Sequence, residues 1–135
     1  MIKLLADNDA EGHLAILVRV LSSESWIAIW NDLELTVVTF EELGLDRNAS
    51  DVLVWRTCQR EEVVLITNNR NAQGTDSLEM VLREENQPDS LPVFTLGTPD
   101  RVRTDRDYAE RAAVLLLDYL GRLDSVRGAG RIFIP

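Results

Sequence analysis

Val63-Val64-Leu65-Ile66-Thr67-Asn68-Asn69-Arg70-Asn71 is the stretch on which the fold turns. Four apolar residues in a row, closed at once by polar turn formers, read as a buried strand. Working outward, Leu4 and Leu5 belong to a similar short run that stops at Asp7-Asn8-Asp9, and Leu35–Phe40 is rich in β-branched residues. Val93–Leu96, set off by Pro88 and Pro92, reads as a fourth strand, and Arg131–Ile134 as a short fifth.

Helical spacing fills the gaps. Leu14, Leu17, Val18 and Leu21 recur at helical intervals between Glu11 and Leu21, and a second stretch, Ser25–Asp32, carries Trp26, Ile27, Ile29 and Trp30. Ser50 is placed to cap a helix running to about Gln59, with Asp51 in its first turn. Thr75 or Asp76 can cap the next, which ends near Glu85 and presents Leu78, Val81 and Leu82. Thr104 opens the longest helix, Asp105–Leu120, with Tyr108, Ala112, Leu115 and Tyr119 as its stripe and Gly121 to stop it. Strands alternating with helices predict a three-layer α/β/α fold around a mostly parallel sheet, with right-handed crossovers. No repeat or linker interrupts the chain, so residues 1–135 are expected to form one domain.

Composition narrows the function. No apolar run reaches the roughly 20 residues of a membrane span, and the N-terminus lacks the pattern of a secretory signal. Cys58 is the only cysteine, which rules out an internal disulfide and a cysteine-based zinc site. A reducing cytoplasm is the expected compartment. With 14 Lys+Arg against 23 Asp+Glu the net charge is −9, the opposite of the basic face that a nucleic-acid binder presents. The arginines nevertheless crowd the last third of the chain, from Arg101 to Arg131. Any contact with nucleic acid would rest on them, on a bound cation or on a partner.

The acids fall where such a sheet binds ligands, beyond the carboxyl ends of its strands. Asp7 and Asp9 follow strand one, Glu41 and Glu42 follow strand two, and Asn68, Asn69 and Asn71 follow strand three. Asp51 and Asp76 sit at helix starts near the same edge. Crowded carboxylates repel unless a proton or cation relieves them. Oxygen donors without cysteine suit Mg²⁺ or Mn²⁺ better than zinc. Each residue also has a plainer role: Asp7 as turn former, Asp51 and Asp76 as helix-start acids, Asn69 and Asn71 as turn residues, Glu41 and Glu42 as solvated surface. His13 reads as a surface or partly buried helix position and Cys58 as a packed one. Trp26 and Trp30, four apart, read as core or, alternatively, as a dimer or partner-protein contact.

Four segments together resemble the successive motifs of PIN-like domains, most closely the short bacterial branch found as toxins of toxin–antitoxin pairs. They are Ile2–Asn8, Glu42–Leu45, Ser50-Asp51 and Glu62–Asn71; the resemblance spans residues 1–76. It implies metal-dependent cleavage of RNA by a metal-activated water, with a small antitoxin protein as partner. Asp7 matches the first metal-binding acid and Asp51 the acid that opens the helix before strand three. The motif after strand three has Thr, any residue, Asp, any residue, Asp; here Thr67 is kept, but Asn69 and Asn71 replace the acids. Asparagine retains a carbonyl oxygen but neither the charge nor the basicity. Asp76, or Asp9 from the first loop, would then complete a metal site of Asp7 and Asp51, with Asn69 assisting. The competing reading is a PIN-like fold that has lost its chemistry and acts as a binding or regulatory module. A phosphoacceptor receiver is rejected: strand three ends in asparagine, and Lys3 is the sole lysine.

Overall fold

The computed structural model describes residues 1–68 and 77–135. Five strands, β1 (Ile2–Ala6), β2 (Leu35–Val37), β3 (Val63–Asn68), β4 (Val93–Leu96) and β5 (Arg131–Phe133), form one sheet in the order β2-β1-β3-β4-β5. Every neighbouring pair is parallel. Six helices connect them: α1 (Glu11–Leu21), α2 (Ile27–Asp32), α3 (Asp51–Arg60), α4 (Ser77–Glu85), α5 (Pro99–Thr104) and α6 (Arg106–Gly121).

Side chains alternate across the sheet with the period of two that a strand imposes. Leu4, Ala6, Val64, Ile66, Phe94 and Leu96 face one way, into a core shared with α1, α5 and α6. Leu5, Val63, Leu65 and Val93 face the other way, toward α3 and α4. Burial on both faces is why β1, β3 and β4 are mostly apolar rather than alternating. The three-layer α/β/α arrangement is thus the one expected, with a sheet that is wholly parallel.

Several boundaries shift for physical reasons. β2 ends at Val37 rather than Phe40; Phe40 turns back to bury itself on the α3 face instead of continuing the edge strand. Pro99 stands in the first turn of the short helix α5, for which the sequence carries no apolar period, so Thr104 closes that helix. Asp105, not Thr104, caps α6 by accepting from the Tyr108 N–H at 3.1 Å. The buried face of α6 is centred on Ala109, Ala113, Leu116 and Leu120, because this helix packs on α1 as well as on the sheet. Leu115 and Tyr119 are left only partly buried. Trp26 and Trp30 are also partly buried against that core. The expected caps of α4, Thr75 and Asp76, lie outside the described residues.

The crossovers do not share one hand. From β1 to β2 the chain steps one way over the α1 face, and from β2 to β3 to β4 it steps the other way over the α3–α4 face; these three agree. From β4 to β5 it again steps the second way, but over the α1 face, and so has the opposite hand. That departs from the expectation of uniformly right-handed connections. A clamp holds the unusual return in place. The Tyr108 hydroxyl donates to the Pro135 carbonyl at 2.8 Å and accepts from the Thr98 N–H at 3.1 Å. At Gly97 a Cβ would meet the Pro135 oxygen at 2.5 Å, so only glycine lets the two strand ends pass.

One polar pair is sunk into the sheet. Thr67 and Thr95 face each other across β3 and β4, both buried, with their hydroxyls 2.9 Å apart. Replacing Thr95 by Val strands the Thr67 hydroxyl and should cost about 1–3 kcal/mol, whereas Thr67→Val with Thr95→Val should be nearly neutral. Urea unfolding of the two single variants and the double variant measures this; simple additivity would contradict a pair interaction.

Candidate functional site

The strand order reverses between β1 and β3, since the chain goes from β1 to one side and returns to the other. In an open parallel sheet the crevice outside those carboxyl ends is the binding place. Asp7 directly follows β1. Its N–H continues the ladder by donating to the Ile66 carbonyl at 2.9 Å, and its carboxylate accepts from the Asn8 N–H at 2.8 Å, capping a 3₁₀ turn over Asn8–Ala10.

Asp51 reaches the same place from the opposite direction. α3 runs back along the sheet, so its first residue lies at the carboxyl edge. Ser50 caps it as expected, its hydroxyl accepting from the Leu53 N–H at 3.2 Å. The preceding loop is tied to the end of β1: the Asn8 amide donates to the Arg47 carbonyl, and the Arg47 guanidinium pairs with Glu11 at 2.9 Å. Asp7, Asp51 and Thr67 thereby line one cavity with Val54, Leu65 and Leu78. Its volume is about 10 Å³, room for roughly one water-sized occupant. Below it, burial first and the Asp7 charge second push the Cys58 thiol up to about 12, so that side chain is an inert packing group.

The other expected residues divide. Asp9 is exposed on the 3₁₀ turn and does not line this cavity; its backbone carbonyl accepts from the Asn68 amide at 2.7 Å. Asn69, Asn71 and Asp76 lie outside the described residues. Among the described residues no three His, Cys, Asp or Glu side chains gather as a metal site. Glu41 is exposed. Glu42 is engaged locally: its carboxylate accepts from the Thr39 N–H and hydroxyl at 3.2 and 3.1 Å, while its own N–H donates back to that hydroxyl at 3.1 Å. This reciprocal bonding holds a turn, as a capping box does.

Two residues were underrated by the sequence. His13, in the first turns of α1, is only 7% exposed, and its Nδ1 lies 3.3 Å from the Asn68 amide nitrogen. Asn68 ends β3 with its Oδ1 buried and, among the described residues, without a partner. An orphaned buried acceptor costs about 1–3 kcal/mol and calls for an explanation at a site. The available signal was position, because His13 lies one helical turn beyond Asp9, on the helix that follows the acidic loop.

Burial lowers the His13 pKa from 6.5, and the nearby Arg103 charge lowers it further; a hydrogen bond to the Asp9 backbone and the Asp100 charge oppose this. The imidazole is therefore neutral in the folded chain where the unfolded chain already takes up a proton. Its contribution to stability is complete above pH 6.5 and is lost as the pH falls toward the folded value. His13 is the sole histidine, so proton NMR reads it directly. Its resonance should titrate below 6.5 in the wild type and move upward in Arg103→Gln; a titration at or above the free value would refute this account.

Fold and site together define a parallel three-layer α/β domain with two aspartates lining one small cavity at the topological switch point. Comparison with family models, with curated proteins and with solved structures gave no match.

Proposed function

We propose that the protein is a PIN-like endoribonuclease dependent on Mg²⁺ or Mn²⁺. The observation that carries this reading is the shared cavity of Asp7 and Asp51, two residues 44 positions apart that stand on separate motifs of the sequence. Asp7, Asp51 and Thr67 bring to its lining oxygen donors of the kind a small hard cation takes. Asp7 and Asp51 would hold the ion, with Asp9 or Asp76 as candidates for a further carboxylate. Such an ion lowers the pKa of a bound water and offsets charge on a transferring phosphate.

The chain's own contribution is orientation. Asp7 is fixed by the β1–β3 ladder and by the Asn8 N–H, so its carboxylate is set before any ligand arrives. Asp51 stands in the first turn of α3, at the positive end of the helix dipole, where an acidic side chain is well placed. The toxin–antitoxin setting, with a small antitoxin partner, rests on the sequence resemblance, and a cytoplasmic location on the single cysteine. Among the described residues no helix is long and apolar enough to cross a membrane. A second reading keeps the fold and removes the chemistry. It is favoured by Asn69 and Asn71, which stand where the resembled motif carries acids.

Calorimetric titration with Mn²⁺ separates the two. The nuclease reading expects wild-type binding weakened at least about tenfold, or 1.4 kcal/mol, in Asp7→Asn and in Asp51→Asn. RNA cleavage should need the cation and fail in Asp7→Asn. A wild type that neither binds Mn²⁺ nor cleaves RNA leaves the binding module as the better account.

A further inference from the structure

A groove of about 590 Å³ lies on the α1 face, between α1 and the α5–α6 corner. Arg19, Arg103 and Arg106 line it together with Trp26, and Glu110 is the one carboxylate among the described residues of its lining. That local excess of positive charge stands in a chain whose net charge is −9. Among the described residues, none of the three arginines takes part in an ion pair, whereas Arg47, Arg56, Arg101 and Arg127 all do. With acids so abundant, three exposed guanidiniums that form no ion pair among the described residues are available to an incoming anion.

The groove also has a direction. At one end the Arg103 guanidinium lies on the first turn of α1: a Cβ on Gly12 would come within 2.5 Å of its Nη2. Its charge is felt by His13, which borders Asn68 in the crevice between β1 and β3. From Gly12 to Arg19 is seven residues, about 10 Å along the helix axis, so the cations extend away from the candidate site along α1.

We propose that this groove carries the phosphate backbone of single-stranded RNA toward the Asp7–Asp51 cavity. Arginine's planar fork matches phosphate oxygens in pairs, and an aromatic side chain beside a cationic track is the common arrangement for unpaired bases. The inference deepens the nuclease reading, and its choice of RNA over an acidic polypeptide rests on that reading and on the approach of Arg103 to Gly12, next to His13, at the groove's end. Gly12 belongs to the same device, since any side chain there displaces Arg103.

The test is fluorescence anisotropy with a labelled, mixed-sequence RNA of about ten nucleotides, in EDTA so that binding is read without cleavage. Wild type should bind, and the variant combining Arg19→Gln, Arg103→Gln and Arg106→Gln should bind at least tenfold more weakly. Its dependence of log K on log salt should flatten by about 2, at roughly 0.7 for each phosphate no longer neutralised. Arg60→Gln, which removes an exposed arginine elsewhere, should leave affinity unchanged, and Gly12→Ala should weaken it. Matching thermal melts of the variants establish that folding is intact. Equal affinity of wild type and triple variant, or no RNA binding by either, overturns the proposal, as does binding of polyglutamate in preference to RNA. Groove-dependent binding in EDTA combined with no cleavage in Mn²⁺ would instead count against the nuclease reading alone.

Discussion

The pairing of β1 with β3 is the constraint on which the rest depends. These strands are far apart in sequence yet run in parallel register, Ala6 beside Ile66, at the centre of the sheet. The ladder continues one bond further, from the Asp7 N–H to the Ile66 carbonyl. That last bond sets where the first acid stands. Because the chain leaves β1 to one side and comes back to the other, no crossover covers the gap between these two strand ends. A crevice there is a consequence of topology, and the polar residues that follow both strands fall into it. Placement of Asp51 follows from the same pairing, since α3 must run antiparallel to β3 to feed it.

Asn68 connects the two sides of that crevice. The Asp7–Asp51 cavity is floored by Val54, Leu65 and Leu78, which belong to the α3–α4 face. His13 and Arg103 belong to the opposite, α1–α5 face. The Asn68 amide bonds the Asp9 carbonyl and touches His13, while its Oδ1 remains buried and, among the described residues, unpartnered. An amide can serve both faces in this way because it offers donors and an acceptor at once, where aspartate would offer acceptors only. The asparagine at this strand end is therefore suited to holding the loop after β1 against α1.

Much of this was legible because burial on both faces leaves an unmistakable mark. Val63–Ile66 is apolar without alternation and Val93–Leu96 is so but for Thr95, and both became interior strands. Ser50 announced α3, and Asp51 with it, through capping chemistry that is local and independent of the rest of the fold. The errors came where tertiary packing overrode local pattern. Phe40 looks like strand by propensity, but the α3 face has a place for it that the sheet edge lacks. Pro99 and the arginines after it gave no apolar period from which to read α5. His13 read as a surface or partly buried helix position because a single histidine carries no periodic signal; Arg103 of α5, which lies beside it in the fold, is 90 residues further on.

The hand of the last crossover shows how such a departure is sustained. A connection of that hand gains nothing from the natural twist of strand and helix, so other contacts must hold it. α6 supplies them by burying seven residues, Tyr108 to Leu120, against both α1 and the sheet. Tyr108 then fixes the return at its far end, bonding the backbone just after β4 and just after β5 with one hydroxyl. The Arg101 guanidinium covers that ring, 4.6 Å from its centre, and pairs with Asp105 at 2.7 Å. The α5–α6 corner is thus held rigidly against α1, and that rigidity matters beyond stability. Arg103 and Arg106 flank Asp105 at this corner, so the contacts that secure the unusual crossover also fix where two of the three groove cations stand.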